Sequence, residues 1–290
     1  MKFHLYLPQM RLSHDAILAK ARIAEEVGFE GIGFMDHLAP PLAYDQPMWE
    51  AMTTATWTLA RTERLLVGHL VLCDAFRHPA LVARAATSLA HASDGRFELG
   101  LGWGSVPAEL ETFGVGSTAP RERVDRLAES LAVLRLLWSG ESFDFDGRFF
   151  TLRGARQQPV PARPVPITIG GVGPRTLALV REYADWWNIP VHELARLEEL
   201  RDAAGETARL SVQQMIAPIS GDGDRAATED LVHKRFGATR FFPTIKVGTA
   251  AELSEHFAHL SSIGVERSYA WFADFAPPES LELFAGVIGR

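Results

Sequence analysis

Short segments that are apolar on both faces, each followed by a segment with apolar residues at helical spacing, repeat along this whole chain. Residues 2–7 read as a buried strand that stops at Pro8. Ser13 is placed to cap a helix with Ile17, Ala21, Ala24 and Val27 on one face, and Gly28 stands where a C-terminal glycine is expected. The strand pattern recurs at 31–35, 65–72, 96–101, 165–170, 186–190, 210–219 and 267–272. Helical spacing fills the intervals, at 49–60, after Pro79 and Pro120, and at 174–183, 191–204, 229–236, 250–263 and 278–288. Strands without inward–outward alternation suit a parallel sheet covered by helices. About eight such units favour a closed (β/α)8 TIM barrel over an open doubly wound sheet, with residues 1–290 as one domain.

Two stretches break the rhythm. Within 142–164, FDFDGRFFTL alternates like a hairpin and QQPVPARP reads as a proline-rich connector, so this is an excursion from the barrel. Residues 237–249 are ambiguous and are expected to form an extended, mobile loop.

The formal net charge of −7 is spread along the chain and offers no basic footprint for nucleic acid or an anionic membrane. No run approaches the ~20 apolar residues of a membrane helix, and the N-terminus lacks the layout of a secretory signal. Cys73 is the single cysteine, which excludes an internal disulfide. The expected location is the cytoplasm. No histidine or carboxylate cluster has metal-ligand spacing, and no catalytic metal is expected.

In such barrels the working residues lie at the C-terminal ends of strands and in the loops that follow. That places Asp36-His37 after the second strand, residues 72–79 after the third, Gly102-Trp103-Gly104-Ser105 after the fourth, and Gly170-Gly171-Val172-Gly173 ahead of Pro174. The last segment lets the backbone approach a ligand closely and leads into a helix N-terminus, which suits a phosphate; it also reads as a plain tight turn. Asp36-His37 is the best acid–base pair, since histidine titrates near neutral pH, although a structural histidine is common.

Several ordered segments together are similar to the luciferase-like monooxygenase superfamily: ARIAEEVGFEGIGFMDHL, TERLLVGHLVLCDAFRHPALVARAATSLAHASDGRFELGLGWG, GGVGPRTLALVREYADWWN, ERVDRLAESLAVLRLLWSGESFDFDGRFFTL and VGTAAELSEHFAHLSSIGV. The Asp-His pair and YADWWN most resemble its branch that uses the deazaflavin coenzyme F420. The resemblance implies an oxidoreductase that passes a hydride between C5 of the deazaflavin and a small organic substrate. It also implies Asp36 at the polar edge of the ring, His37 as proton donor or acceptor, and a non-prolyl cis peptide at Leu70-Val71 beneath the ring. Cys73 matches a position facing the ring or its side chain, and is equally readable as a buried packing residue. Gly104, Ser105 and the loop from Gly170 to Gly173 complete the implied cofactor contacts, and a homodimer is implied as well.

Sugar-phosphate-oxidising members carry a glutamate at Ser105 and an asparagine at Ala108, so that substrate class is not expected. A serine donates a hydrogen bond but is a poor proton acid. Trp49 and Trp103 are candidate walls of a substrate pocket. The alternatives are an FMN-dependent monooxygenase fed by a partner reductase and, more remotely, a non-catalytic flavin-binding barrel.

Overall fold

The computed structural model describes residues 1–41, 43–240 and 242–289. Parallel strands β1 (Lys2–Tyr6), β2 (Gly31–Phe34), β3 (Leu66–His69), β4 (Leu72–Cys73) and β5 (Leu99–Gly102) lie in the first half. An antiparallel hairpin, β6 (Phe143–Asp146) and β7 (Thr151–Ala155), forms the anticipated excursion. Strands β8 (Ile167–Gly170), β9 (Trp186–Pro190), β10 (Arg209–Pro218), β11 (Lys246–Gly248) and β12 (Arg267–Phe272) follow. The ladder runs β3-β2-β1-β12-β10-β9-β8-β5-β4. It closes where Val67 N donates to Arg96 O (2.8 Å) and Glu98 N to Val67 O (3.0 Å).

Helices α1 (His14–Val27), α2 (Ala51–Leu59), α3 (Pro79–Ala92), α4 (Pro107–Thr112) and α5 (Pro120–Ser139) precede the hairpin. Helices α6 (Pro174–Tyr183), α7 (Leu197–Ala204), α8 (Arg225–Phe236), α9 (Ala250–Ser262) and α10 (Pro278–Ile288) come after it. Ser13 Oγ accepts from Ala16 N (3.1 Å), and Gly28 adopts φ 105°, as the start and stop signals predict.

Alternation along β1 separates two layers. Phe3 packs edge-on against Phe257 and Phe284 beneath the helices, with ring centroids 5.0 and 5.3 Å away. His4 and Tyr6 point into the barrel toward Tyr269 and Trp271, at 5.1 and 5.4 Å. At the N-terminal end of the strands, Arg267 and Glu98 form a bidentate pair (2.8 and 2.9 Å) inside the barrel, beneath the ring of Trp186.

Four local readings need correction. The strand expected over 65–72 is two strands, because the peptide Leu70-Val71 is cis and interrupts the ladder, in the place the family resemblance implies. Residues 191–204 begin as a 3-10 turn, Val191–Arg196, before α7. Within 237–249, Phe242–Thr244 is a 3-10 turn and β11 pairs in parallel with the end of β10, so these residues extend the sheet; Phe241 lies outside the described residues. Helix α4 has no counterpart in the sequence reading: six residues are too few to establish a periodicity.

Candidate active site

The loop after β2 is held from two sides. Asp36 is buried, and both of its oxygens are engaged by Arg77, Nη1 to Oδ2 at 2.6 Å and Nη2 to Oδ1 at 3.0 Å. Cys73 N also donates to Oδ2 at 2.8 Å. Arg77 pairs in addition with Glu50, the N-cap residue of α2. Burial alone would pull the Arg77 guanidinium down, but its bonds to Asp36 and Glu50 hold its pKa above the ordinary value. Asp36, expected at the ring's polar edge, is thus committed to tying the loop after β2 to the loop after β4.

On the other side His37 Nδ1 lies 2.9 Å from Glu109 Oε2. Oε1 of the same carboxylate accepts from Leu38 N (2.6 Å) and Ala39 N (3.1 Å). Burial pushes the Glu109 carboxyl up, yet the bonds from His37, Ala39 and Leu38 outweigh it and hold its pKa below the ordinary 4.5. An ionised Glu109 requires the proton on Nδ1, which leaves Nε2 as the acceptor of the neutral ring. No protein partner for Nε2 is present among the described residues. Because the folded-state pKa is depressed, the clamp is complete above pH about 4.5 and released as pH falls through the lower folded value. The amides of Leu38 and Ala39 are therefore expected to lose protection from hydrogen exchange in acid before the barrel unfolds, and Glu109→Gln to remove that dependence. Protection that is independent of pH would contradict the clamp.

The cis peptide sits on a bed without side chains. A Cβ at Gly100 would lie 1.9 Å from His69 O, and one at Gly102 would lie 2.6 Å from Val71 Cγ2. At Gly100 the His69 carbonyl, and at Gly102 the Val71 side chain, take the space a Cβ would need. Leu70 joins Tyr6, Met35, Met48, Tyr269 and Trp271 in an apolar cluster within the barrel. Cys73 is buried against Gly104, and burial first, then the carboxylates of Asp36, Asp74 and Glu109, push its thiol up to about 12. A thiol in that state packs rather than reacts.

Gly104 adopts φ 83°, and its carbonyl accepts from Arg123 Nη1 at 2.8 Å. Ser105 is exposed. In the glycine loop Gly171 (φ 123°) donates to Asn188 O at 3.1 Å and accepts from Trp187 Nε1 at 2.9 Å, so its own N–H is not free for a ligand. Val172 is half-buried against the core. Gly173 is the exposed N-cap of α6, and Pro174 opens the helix. The N–H groups of Arg175 and Thr176 lie in that first turn, where no intrahelical acceptor exists. A Cβ at Gly170 or Gly173 would meet nothing closer than 3.8 or 3.9 Å, so the approach to them is open. Open glycines, a helix N-terminus and the bulged apolar bed fit a flat ring system carrying an anionic group.

The two tryptophans sit in different surroundings. Trp49 donates from Nε1 to Leu12 O (2.6 Å) and lies tilted at 39° against the His14 ring, centroids 4.3 Å apart. Trp103 lies under the Arg123 guanidinium, 4.6 Å from ring centroid to Cζ, and walls a cavity of about 200 Å³.

A family model for luciferase-like monooxygenases matches residues 1–285. The chain belongs to this family. Among curated luciferase-like relatives, an F420-dependent hydroxymycolic acid dehydrogenase of Mycobacterium tuberculosis is 35% identical over 250 residues, covering 82% of this chain and 68% of that protein. An F420-dependent glucose-6-phosphate dehydrogenase of Microbacterium testaceum is 33% identical over 164 residues, 56% of this chain and 48% of the relative. The match thus spans about half the length of the glucose-6-phosphate dehydrogenases. Among solved structures, an F420-dependent secondary alcohol dehydrogenase in complex with an F420-acetone adduct superposes with a TM-score of 0.84 at 19% identity, over 99% of this chain and 98% of the other. A coenzyme F420 dependent tetrahydromethanopterin reductase from Methanopyrus kandleri gives 0.74 at 16%, over 98% and 97%. These likenesses establish the luciferase-like (β/α)8 barrel.

Sequence reasoning missed Glu109 as a member of the site, and placed Arg77 only within the segment 72–79 without a role. Pro107 followed by a glutamate at the third helical position is a legible helix start. Its distance in sequence from His37 hides the contact.

Proposed function

We propose that residues 1–290 work as one coenzyme F420-dependent oxidoreductase acting on a small organic alcohol or carbonyl compound. The observation that carries this reading is His37, anchored through Nδ1 to Glu109 with Nε2 left for a substrate. The named activities of the curated relatives support the choice of cofactor. When bound, the deazaflavin supplies or accepts a hydride at C5. The bed of Leu70, Val71 and Gly104 would lie against its ring, and the glycine loop with the first turn of α6 would hold its phosphate. His37 takes the proton of a substrate hydroxyl at Nε2 in oxidation and returns it in reduction. Glu109 keeps the ring in the tautomer that does so and stabilises the imidazolium that forms. Arg77 and Asp36 are positioning residues, since both are committed to each other. The resemblance also supports a homodimer in the cytoplasm. Among the described residues no helix is long and apolar enough to cross a membrane.

Titrating the cofactor-free protein with oxidised F420 and with FMN tests the reading. F420 is expected to bind with micromolar or better affinity and FMN more weakly. FMN binding about tenfold tighter than F420 would transfer the chain to FMN chemistry.

The glycine loop is best tested at Gly173, where φ is −69° and an added side chain meets open space. At Gly171 the positive φ would confound the result. Aspartate is a favourable N-cap, so Gly173→Asp should fold normally while placing a negative charge at the anion seat. F420 affinity is expected to fall more than about tenfold, or ~1.4 kcal/mol, with no loss in Tm. Unaltered affinity would make the loop a turn and nothing more.

A further inference from the structure

Met35, two residues before His37, packs with Tyr6, Met48, Leu70, Tyr269 and Trp271 inside the barrel. Tyr6, Met35 and Tyr269 are buried, whereas Met48, Leu70 and Trp271 keep part of their surface open. The barrel is plugged below by Arg267, Glu98 and Trp186, so solvent reaches these side chains only through the mouth. The three half-open residues therefore line a well beside His37.

The ladder order gives that well two sides. Leu70, just past β3, lies on one side of the loop that carries His37 and belongs to the bulged bed. Tyr6 and Trp271, on β1 and β12, lie on the other, edge-on with centroids 5.4 Å apart. Met48 is brought to this second side by a brace from the loop after β1. Met10 and Met48 form an antiparallel bridge, and Arg11 N donates to Pro47 O at 2.9 Å. The buried Gln9 amide locks the brace to β2, donating from Nε2 to Met35 O (2.6 Å) and Trp49 O (3.1 Å). A substrate hydroxyl bonded to His37 Nε2 and kept clear of the bed leaves its substituents toward Tyr6, Met48 and Trp271.

None of these walls is charged. Burial raises the Tyr6 pKa, against a smaller lowering by Gln213, so the hydroxyl stays protonated. Arg77 supplies no charge to the well, since Asp36 and Glu50 engage it. An anion buried against such walls loses its hydration without recompense, whereas each buried methylene is favourable.

We propose that the substrate is an uncharged alcohol or carbonyl compound whose apolar substituent fills this well, with Met48 and Trp271 setting the preferred chain length. The reaction assigned to it rests on the F420 reading; the apolar seat itself does not.

The test compares kcat/KM with F420 for 2-propanol, 2-butanol and 2-pentanol, and for lactate beside its uncharged near-isostere 3-methyl-2-butanol. Each added methylene is expected to raise kcat/KM about fourfold, the worth of burying one CH2. Lactate should fall at least about 10²-fold below 3-methyl-2-butanol, because its carboxylate finds no partner in the well. Met48→Ala should flatten the methylene series to within about twofold per step, and Met48→Arg should reverse the preference between lactate and its isostere. Saturation-transfer NMR of the same compounds on the cofactor-free protein reads the seat without turnover and should rank them in the same order. A wild-type series that is flat, or that favours lactate, overturns the apolar class whether or not the variants fold. A series unchanged in folded Met48→Ala overturns the seat. If F420 fails to bind but the NMR ranking holds and Met48→Ala weakens it, the apolar well stands and the cofactor reading falls. If F420 binds and none of the alcohols is turned over or detected by NMR, the cofactor reading stands and the apolar seat falls.

Discussion

Replacing His37 with alanine is expected to lower kcat by at least about 10²-fold, the range lost when a positioned acid–base group is removed. A proton must move whenever a hydride passes to or from an alcohol or carbonyl carbon. His37 is the titratable group that the loop after β2 presents at the rim, with its Nδ1 spoken for by Glu109. F420 affinity should stay within a few-fold, because the glycine loop and the bulge at Leu70-Val71 are untouched. His37→Asn keeps a hydrogen bond but cannot titrate, and should be nearly as impaired. Glu109→Gln keeps His37 but offers it an amide group in place of the carboxylate, which favours the wrong tautomer. Its effect should fall mainly on kcat and on the shape of the pH profile, with KM little changed. Turnover maintained in both His37 variants between about pH 5 and 9 would make the histidine structural and assign the proton to another source.

The second large effect lies at the opposite end of the barrel. Arg267→Met is expected to destabilise the fold by about 3–5 kcal/mol, since it leaves the Glu98 carboxylate buried and unmatched. The pair is inside the barrel, with Arg267 1% and Glu98 7% exposed, and Trp186 closes over the guanidinium. The double variant Arg267→Met, Glu98→Met should recover most of the loss, because a buried ion pair is weakly stabilising relative to an apolar pair of similar size. Urea unfolding of the two variants reads both values. The folded fraction should turn over normally, as the pair sits at the N-terminal ends of β5 and β12. A loss in the single variant below about 1 kcal/mol would mean that water reaches Glu98.

Much of the barrel was legible because its elements are local. Strands such as Trp186–Pro190 and Arg267–Phe272, and the helix Pro174–Tyr183, appear where apolar runs, proline starts and glycine stops place them. The hairpin at 143–155 follows from alternation on either side of Asp-Gly. The cis bond at Leu70-Val71 came from resemblance, since no residue-level rule selects a non-prolyl site.

The site divides along the same line. Residue type and order along the chain determined that Asp36, His37 and the two glycine-rich turns would reach the C-terminal rim, because each follows a strand directly. Only the tertiary structure decided what those groups do there. Asp36 is paired with Arg77, 41 residues on, and His37 with Glu109, 72 residues on. Arg123 has no ion-pair partner among the described residues although the chain is acidic overall. Electrostatic partnership depends on separations of a few ångströms between distant segments, and a linear pattern records spacing along one element only.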